Sequence, residues 1–199
     1  MTTLTSKNPF TARRIRPGTI PFLFGDDDRD EPQQLVDRLA ECNWRGQIIG
    51  PHGTGKSTLL ETLEAPLDKA GRFLLRFTLH ADERRMPAGW RSQIRGNTNT
   101  QVVIDGFEQL GFFRRRLVRA ICTWHRAGLL VTAHESVGLT TIHQTFSSFT
   151  LAERVLENLL PDYRRHLDSE AIKQSYQRHQ GNIREVLFDM YDLYESLRS

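Results

Sequence analysis

Gly50-Pro51-His52-Gly53-Thr54-Gly55-Lys56-Ser57 is a stretch in which each fixed position has a chemical job. Its glycines let the backbone turn through conformations closed to residues with a Cβ, so that several N–H groups converge on one anion. Lys56 reaches that anion as a mobile point charge, and the Ser57 hydroxyl is a hard oxygen ligand suited to Mg²⁺. The residues that follow, from Thr58 through Leu59, Leu60 and Leu63 to Glu64, suit a helix whose N-terminus carries partial positive charge toward the anion. Gln47-Ile48-Ile49 immediately before is a short apolar strand. Strand, glycine-rich loop and helix in that order form the context a P-loop requires. Residues 50–58 are therefore the expected cradle for the phosphates of a nucleoside triphosphate.

The bulk properties narrow the class. At 199 residues with 38% apolar side chains, the chain is long enough for one cored domain or one domain with a small appendage. No apolar run approaches the roughly 20 residues that span a bilayer, so no membrane role is expected. The segment Met1 to Lys7 lacks the apolar stretch of a signal peptide. Cys42 and Cys122 stand alone without metal-ligand spacing and read as buried thiols of a reducing compartment, which makes the cytoplasm the expected location. Net charge is only +3, yet just four of the 27 basic residues are lysine. Such an arginine bias either reflects genome composition or serves planar recognition of phosphate and carboxylate.

Strands and helices alternate along the middle of the chain. The first thirty residues mix Pro, Gly and apolar groups and read as irregular, and Asp26 to Glu31 form an acidic turn. Pro32, Leu35, Val36 and Leu39 mark a short amphipathic helix. Arg72–Leu79, Gln101–Asp105 and Gly128–Thr132 read as strands, residues 81–99 as loop around one short helix, and Thr145–Thr150 as a fifth strand. Phe113, Leu117, Ala120, Ile121 and Trp124 recur at helical spacing, with Arg115 and Arg119 on another side. Everything after residue 150 is helical: one helix stopped by Pro161, a second capped by Ser169, and a last one with Asn182 at its N-cap and Glu185 three residues on. The fold class expected is α/β: a parallel five-stranded sheet flanked by helices, followed by a small all-helical lid. Its parts are an N-terminal arm over 1–30, a core over 31–150 and the lid over 151–199.

Phosphoryl transfer depends on positioning and electrostatics, so a P-loop enzyme needs a second acid. Asp105 ends an apolar strand and would hold Mg²⁺ together with Ser57. Glu108, three residues later, is a candidate for orienting the attacking water, and Gln109 is the alternative, because Gly106 fills the slot directly after Asp105. Thr132, at the end of the next strand, would face the edge of the sheet where ligands of open α/β sheets collect. His134 beyond it reads as a loop histidine.

Together these segments resemble the AAA+ superfamily of P-loop ATPases and the related STAND signalling ATPases. Gly50 to Ser57 is close to the AAA+ form of the motif, down to Pro51 and Thr54. Val102-Val103-Ile104-Asp105-Gly106-Phe107-Glu108 is similar to a NACHT-type Walker B. Leu130-Val131-Thr132 fits a sensor-1 strand, and Gly181-Asn182-Ile183-Arg184-Glu185 is similar to the start of a sensor-2 helix. The resemblance implies ATP and Mg²⁺ as ligands, an Arg184 that reaches the γ-phosphate from the lid, and a segment Arg16–Pro21 that wraps the adenine unless it is only a mobile arm. Only about a dozen residues separate Thr132 from the expected fifth strand, too few for the helix that usually presents an arginine finger. A ring hexamer is therefore not expected, and the oligomeric state stays open.

Three classes of function fit: an ATP-dependent switch with slow hydrolysis, acting on an unidentified partner protein or nucleic acid; a small-molecule or nucleotide kinase; and a module in which nucleotide only stabilises the fold. No Asn-Lys-x-Asp guanine motif and no Leu-Ser-Gly-Gly-Gln stretch occurs, which argues against a GTPase and a transporter-type ATPase. The arginine-bearing helix, with Arg114, Arg115, Arg116, Arg119 and Arg126, is either a nucleic-acid contact or a solvated face.

Overall fold

The computed structural model describes residues 8–25, 30–94 and 98–198. In chain order its helices are α1 (Ala12–Ile15), α2 (Pro32–Glu41), α3 (Lys56–Lys69), α4 (Trp90–Gln93), α5 (Phe112–Trp124), α6 (Phe149–Leu159), α7 (Ser169–Arg178) and α8 (Ile183–Ser196). Its strands are β1 (Arg45–Ile49), β2 (Phe73–Thr78), β3 (Thr100–Asp105), β4 (Gly128–Ala133) and β5 (Thr141–Gln144). The chain forms two compact units. Residues 26–29 of the expected acidic turn, the segment Met1 to Lys7, and Gly96 with Asn97 lie outside the described residues.

One unit, Asp30–Gly50 with Leu59–Thr145, holds the whole sheet. All five strands are parallel, in the order β2-β3-β4-β1-β5. β4 is buried along its full length and β3 along all but its last residue, the pattern of central strands covered on both faces. α2 follows its sequence signals: Pro32 opens it, Glu31 and Gln34 form a capping box, and Leu35, Val36 and Leu39 are buried. One core cluster joins Phe77, Trp90, Val102, Ile104, Phe107 and Val131. Arg72 is buried here too, its guanidinium 4.3 Å over the Trp44 ring and donating to the Thr98 and Thr100 carbonyls.

Two elements differ from the sequence reading. The fifth strand is Thr141–Gln144, not Thr145–Thr150. Ser148 instead caps α6, its hydroxyl accepting from the Leu151 N–H at 3.0 Å, so the Thr-Phe-Ser alternation is a helix approach and not a strand. In α5 the stripe of Phe113, Leu117, Ala120 and Trp124 faces solvent, with Phe113 84% and Trp124 86% exposed, while Val118 and Cys122 turn inward. Helical spacing identifies a stripe but not which way it points, and the smaller Val118–Cys122 face is the one the core accepts.

The other unit comprises Pro51–Thr58, Phe146–Ser199 and the described part of Met1–Arg29. Its core joins Leu151, Leu156, Tyr163, Ile172, Val186, Met190 and Tyr194 with Phe10, which is wholly buried against Tyr194 in an edge-to-face contact at 6.0 Å. Asn8 donates to the Tyr191 carbonyl at 3.0 Å and to Glu195 at 2.8 Å. The irregular reading of the first thirty residues therefore misses an anchored segment at Asn8–Phe10 and the turn of α1. Asp168 rather than Ser169 caps α7, accepting from the Glu170 N–H at 3.1 Å. Asn182 caps α8 as expected, accepting from the Glu185 N–H.

No helix of the described residues is long and apolar enough to cross a membrane. Both cysteines are free. Cys42 is half-exposed rather than buried, whereas burial pushes the Cys122 thiol up to about 12.

Gln47 binds the loop after β4 to β1. Fully buried, it donates to the Ser136 and Thr141 hydroxyls, each at 2.9 Å, and accepts from the Val137 N–H at 2.9 Å. Removing it strands a buried N–H group, so Gln47→Leu should lower unfolding free energy by about 1–3 kcal/mol. The exposed Gln33→Ala should change it by less than about 0.5 kcal/mol. Urea denaturation midpoints of the two variants check the contrast.

Candidate active site

Residues 51–58 of the phosphate loop belong to the helical unit, and Gly50 to the sheet unit. Gly50 follows β1, and α3 starts at Lys56, which puts Ser57 and Thr58 in its first turn. Pro51 and His52 are exposed at the loop, while Thr54 and Lys56 are buried. The Lys56 ammonium donates to the Pro51 carbonyl at 2.6 Å and the Thr54 hydroxyl donates to the same oxygen at 2.9 Å. Gly53 has φ +70°, and a Cβ there would run into the Asn182 carboxamide and lie 3.1 Å from its Cα. A Cβ on Gly55 would lie 3.1 Å from the Phe22 ring. The loop is thus packed between the N-cap of α8 and an aromatic residue of the N-terminal segment.

Sequence reasoning read Asn182 only as a cap and passed over Phe22. The alternation Phe22-Leu23-Phe24 was the available signal, and the two rings meet edge to face at 4.9 Å. Within Arg16–Pro21, Pro17 and Ile20 form an isolated bridge, and the Thr19 hydroxyl donates to the Arg13 carbonyl at 3.3 Å. Arg184 is exposed, its guanidinium 5.8 Å from the Phe188 ring centre.

The acids belong to the sheet unit. Asp105 is the last residue of β3, and its Oδ1 accepts from the Thr132 hydroxyl at 2.5 Å. That hydroxyl in turn accepts from the Gly106 N–H at 2.9 Å. Thr132 therefore fixes both the carboxylate and the turn that follows it. The turn is a 3₁₀ helix, Phe107–Gln109, which carries Glu108. Glu108 Oε1 lies 2.9 Å from His134 Nε2, and His134 Nδ1 lies 3.3 Å from the Gly50 carbonyl. The two ring nitrogens thus bridge Glu108 and the backbone at Gly50, which fixes the plane of the ring. Glu108 Oε2 is closed off from solvent and has no hydrogen-bond partner among the described residues. His134, read from sequence as a loop histidine, is thus a contact of the candidate water-orienting acid. Its position two residues after Thr132, on the same side of an extended chain, was the signal for it.

The arrangement offers hard oxygen ligands and one unsatisfied carboxylate oxygen. Among the described residues no three His, Cys, Asp or Glu side chains gather as a metal-binding group. A Mg²⁺ that takes most of its ligands from water and substrate phosphates needs only one or two protein oxygens.

No family model matches the sequence. No curated protein matches it either. Solved structures match in fold. The replication initiator DnaA bound to AMPPCP and single-stranded DNA aligns with a TM-score of 0.57 at 14% identity, over 87% of this chain and 63% of that one. This chain therefore spans less than two thirds of the initiator's length. The Walker-type ATPase of Pyrococcus abyssi aligns with a TM-score of 0.51 at 13% identity, over 96% of this chain and 72% of the other. At these identities the likeness is one of fold. The parallel five-stranded sheet with helices around and after it is the α/β fold of P-loop ATPases.

Proposed function

We propose that the chain binds ATP with Mg²⁺ at residues 50–58 and hydrolyses it slowly, as a conformational switch read by a partner protein or nucleic acid. Backbone N–H groups from Gly50 to Thr58 would hold the phosphates, with Lys56 adding its charge. Ser57 and Asp105 would ligate Mg²⁺, which when bound neutralises charge on the phosphate oxygens. Glu108 would orient the attacking water. Thr132 would respond to the γ-phosphate through the carboxylate it holds, and Arg184 would reach that phosphate from the lid.

The observation that carries this reading is the carboxylate of Glu108. Its Oε1 is committed to His134 and its Oε2 is buried without a donor. A desolvated, unpartnered carboxylate oxygen is costly, and a water donating to it relieves the cost. That supports Glu108 over Gln109 as the water-orienting group. The fold likeness to structures of ATPases, one bound to AMPPCP, supports a nucleotide. Residues 134–140, between β4 and β5, form no helix, which favours a switch over a ring motor. The single-stranded DNA of the initiator structure makes nucleic acid one candidate partner.

Release of inorganic phosphate from ATP tests the reading. Glu108→Gln should slow release by about 100-fold or more while ATP still binds. Lys56→Ala should abolish binding. Unchanged release in Glu108→Gln overturns its role, and release that requires an added small-molecule acceptor makes the chain a kinase. His134→Ala, which frees Oε1, should slow turnover by roughly tenfold with ATP affinity retained, read as kcat against the dissociation constant.

Gly53→Ala should lower thermal stability and weaken ATP binding, because the methyl group meets Asn182. Adding Asn182→Gly, itself a loss of only a few tenths of a kcal/mol at an N-cap, should restore about 1 kcal/mol. A double-mutant cycle by thermal unfolding measures the coupling.

A further inference from the structure

Helix α5 presents a surface that the nucleotide chemistry leaves unused. Phe113, Leu117, Ala120 and Trp124 are spaced four, three and four residues apart, which at 3.6 residues per turn makes a single straight stripe. All four are exposed, and they lie opposite the buried Val118–Cys122 face. Phe113 and Trp124 alone leave roughly 300 Å² of aromatic surface in water, taking about 200 Å² for each ring system. The largest apolar patch on a monomer is of about this size and is often functional.

Charge says what kind of partner fits. Phe112–Trp124 contains four arginines and no acid. At about 100° per residue, Arg116 flanks the stripe on one side with Arg119 farther round, Arg114 flanks it on the other, and Arg115 falls beside Val118 and Cys122, away from it. Arg114 donates to the Arg84 carbonyl, and Arg116 lies 5.6 Å from the Phe112 ring centre. Among the described residues none of the four is paired with a carboxylate. The Nε atoms of Arg115 and Arg119 are buried without an acceptor. Burial, and then the charges of Arg115 and Arg116, hold the Arg119 guanidinium below its ordinary range. Arg114 and Arg116 put positive charge on both flanks of the stripe, and an anionic neighbour would meet attraction on either side.

We propose that α5 docks an acidic amphipathic helix of a partner protein, with the partner's apolar side chains against Phe113, Leu117, Ala120 and Trp124 and its carboxylates against Arg116 on one flank and Arg114 on the other. The four-three-four spacing is the seam one helix offers another. A second copy of this chain fits poorly, because it would bring the same arginines against each other. Single-stranded nucleic acid matches the charge, but Leu117 and Ala120 at the middle of the stripe have no ring face for a base to stack on. The inference rests on α5 alone and stands or falls independently of ATP hydrolysis.

The test uses the full chain and a labelled peptide of about three heptads with Leu at a and d and Glu at e and g, read by fluorescence anisotropy and by the emission of Trp124. Binding of this peptide with a blue shift is expected, with the dissociation constant raised at least tenfold in Leu117→Asp and in Phe113→Ser. Arg114→Glu with Arg116→Glu should weaken the acidic peptide and strengthen its Lys-flanked counterpart. Because these side chains are exposed, circular dichroism should show each variant folded, and Trp124→Ser serves where one is not. Absence of binding, equal affinity for the Lys-flanked peptide, or binding unaffected by Leu117→Asp overturns the proposal. So does binding of oligo-dT without binding of the peptide, which makes α5 a nucleic-acid surface, or a dimer in sedimentation that Leu117→Asp breaks.

Discussion

The hydrogen bonding of β1 on both sides is the constraint on which the sheet depends. β1 pairs with β4 from Arg45↔Leu129 to Ile49↔Ala133 and with β5 from Gln47↔Thr141 to Ile49↔Gln144. Because β1 comes first in sequence yet lies between the fourth and fifth strands, the chain must leave it to build β2, β3 and β4 on one side and return past it for β5. A parallel sheet with that reversal collects ligands beyond the carboxyl end of the strand where the direction changes. The loop from Gly50 onward leaves β1 at that end. Gln47 secures the reversal: a buried amide in the middle of the strand that ties down the short connection between β4 and β5. An apolar residue there would suit the strand's hydrophobicity better and the return path worse.

What the sequence made legible follows from how local each signal is. The phosphate loop, α2 with its proline, the three central strands and the Asn182 cap are each specified by neighbours within a few residues, and they stand where the pattern puts them. The fifth strand is only four residues long, and His143 within it is buried. Its burial depends on Asp30, which accepts from both His143 and Arg38, a contact between residues more than a hundred positions apart. Nothing local marks a histidine for burial. The contact between Glu108 and His134 is likewise non-local, joining a 3₁₀ turn to the residue just past a strand. The stripe on α5 was visible as a stripe, but its direction depends on which face the neighbouring strands leave room for.

Arginine, plentiful in this chain, does two different jobs here. Arg72 is buried with two carbonyls and an indole face around it, so its charge is dispersed over fixed dipoles and burial draws its ionisation below the ordinary range. Arg76 sits between Glu61 and Glu64, at 2.5 and 2.7 Å, and those partners outweigh its burial. Among the described residues no carboxylate pairs with the α5 arginines, although Arg114 donates to the Arg84 carbonyl and Arg116 lies against the Phe112 ring. A uniform composition bias would scatter arginines without regard to their neighbours. Here Arg72 and Arg76 are tied into the sheet unit, and four more gather on α5, which carries no acid, with the exposed apolar stripe.

The spacing of the acids has a steric cause. The residue after Asp105 has φ +81°, and a Cβ on it would lie 2.5 Å from the Leu79 carbonyl. Leu79 donates its own N–H to the Asp105 carbonyl, so β2 and β3 close on each other at this point and leave no space for a side chain. Glycine is therefore required at position 106, and an acid cannot directly follow Asp105. The N–H of Gly106 instead goes to Thr132, and the left-handed turn it permits starts the 3₁₀ helix that swings Glu108 to His134. An acid at 107 would face the core that Phe107 fills. Position 108 is the first after Asp105 at which a carboxylate is neither excluded by backbone nor buried in apolar packing. The three-residue offset is thus the consequence of a tight strand end.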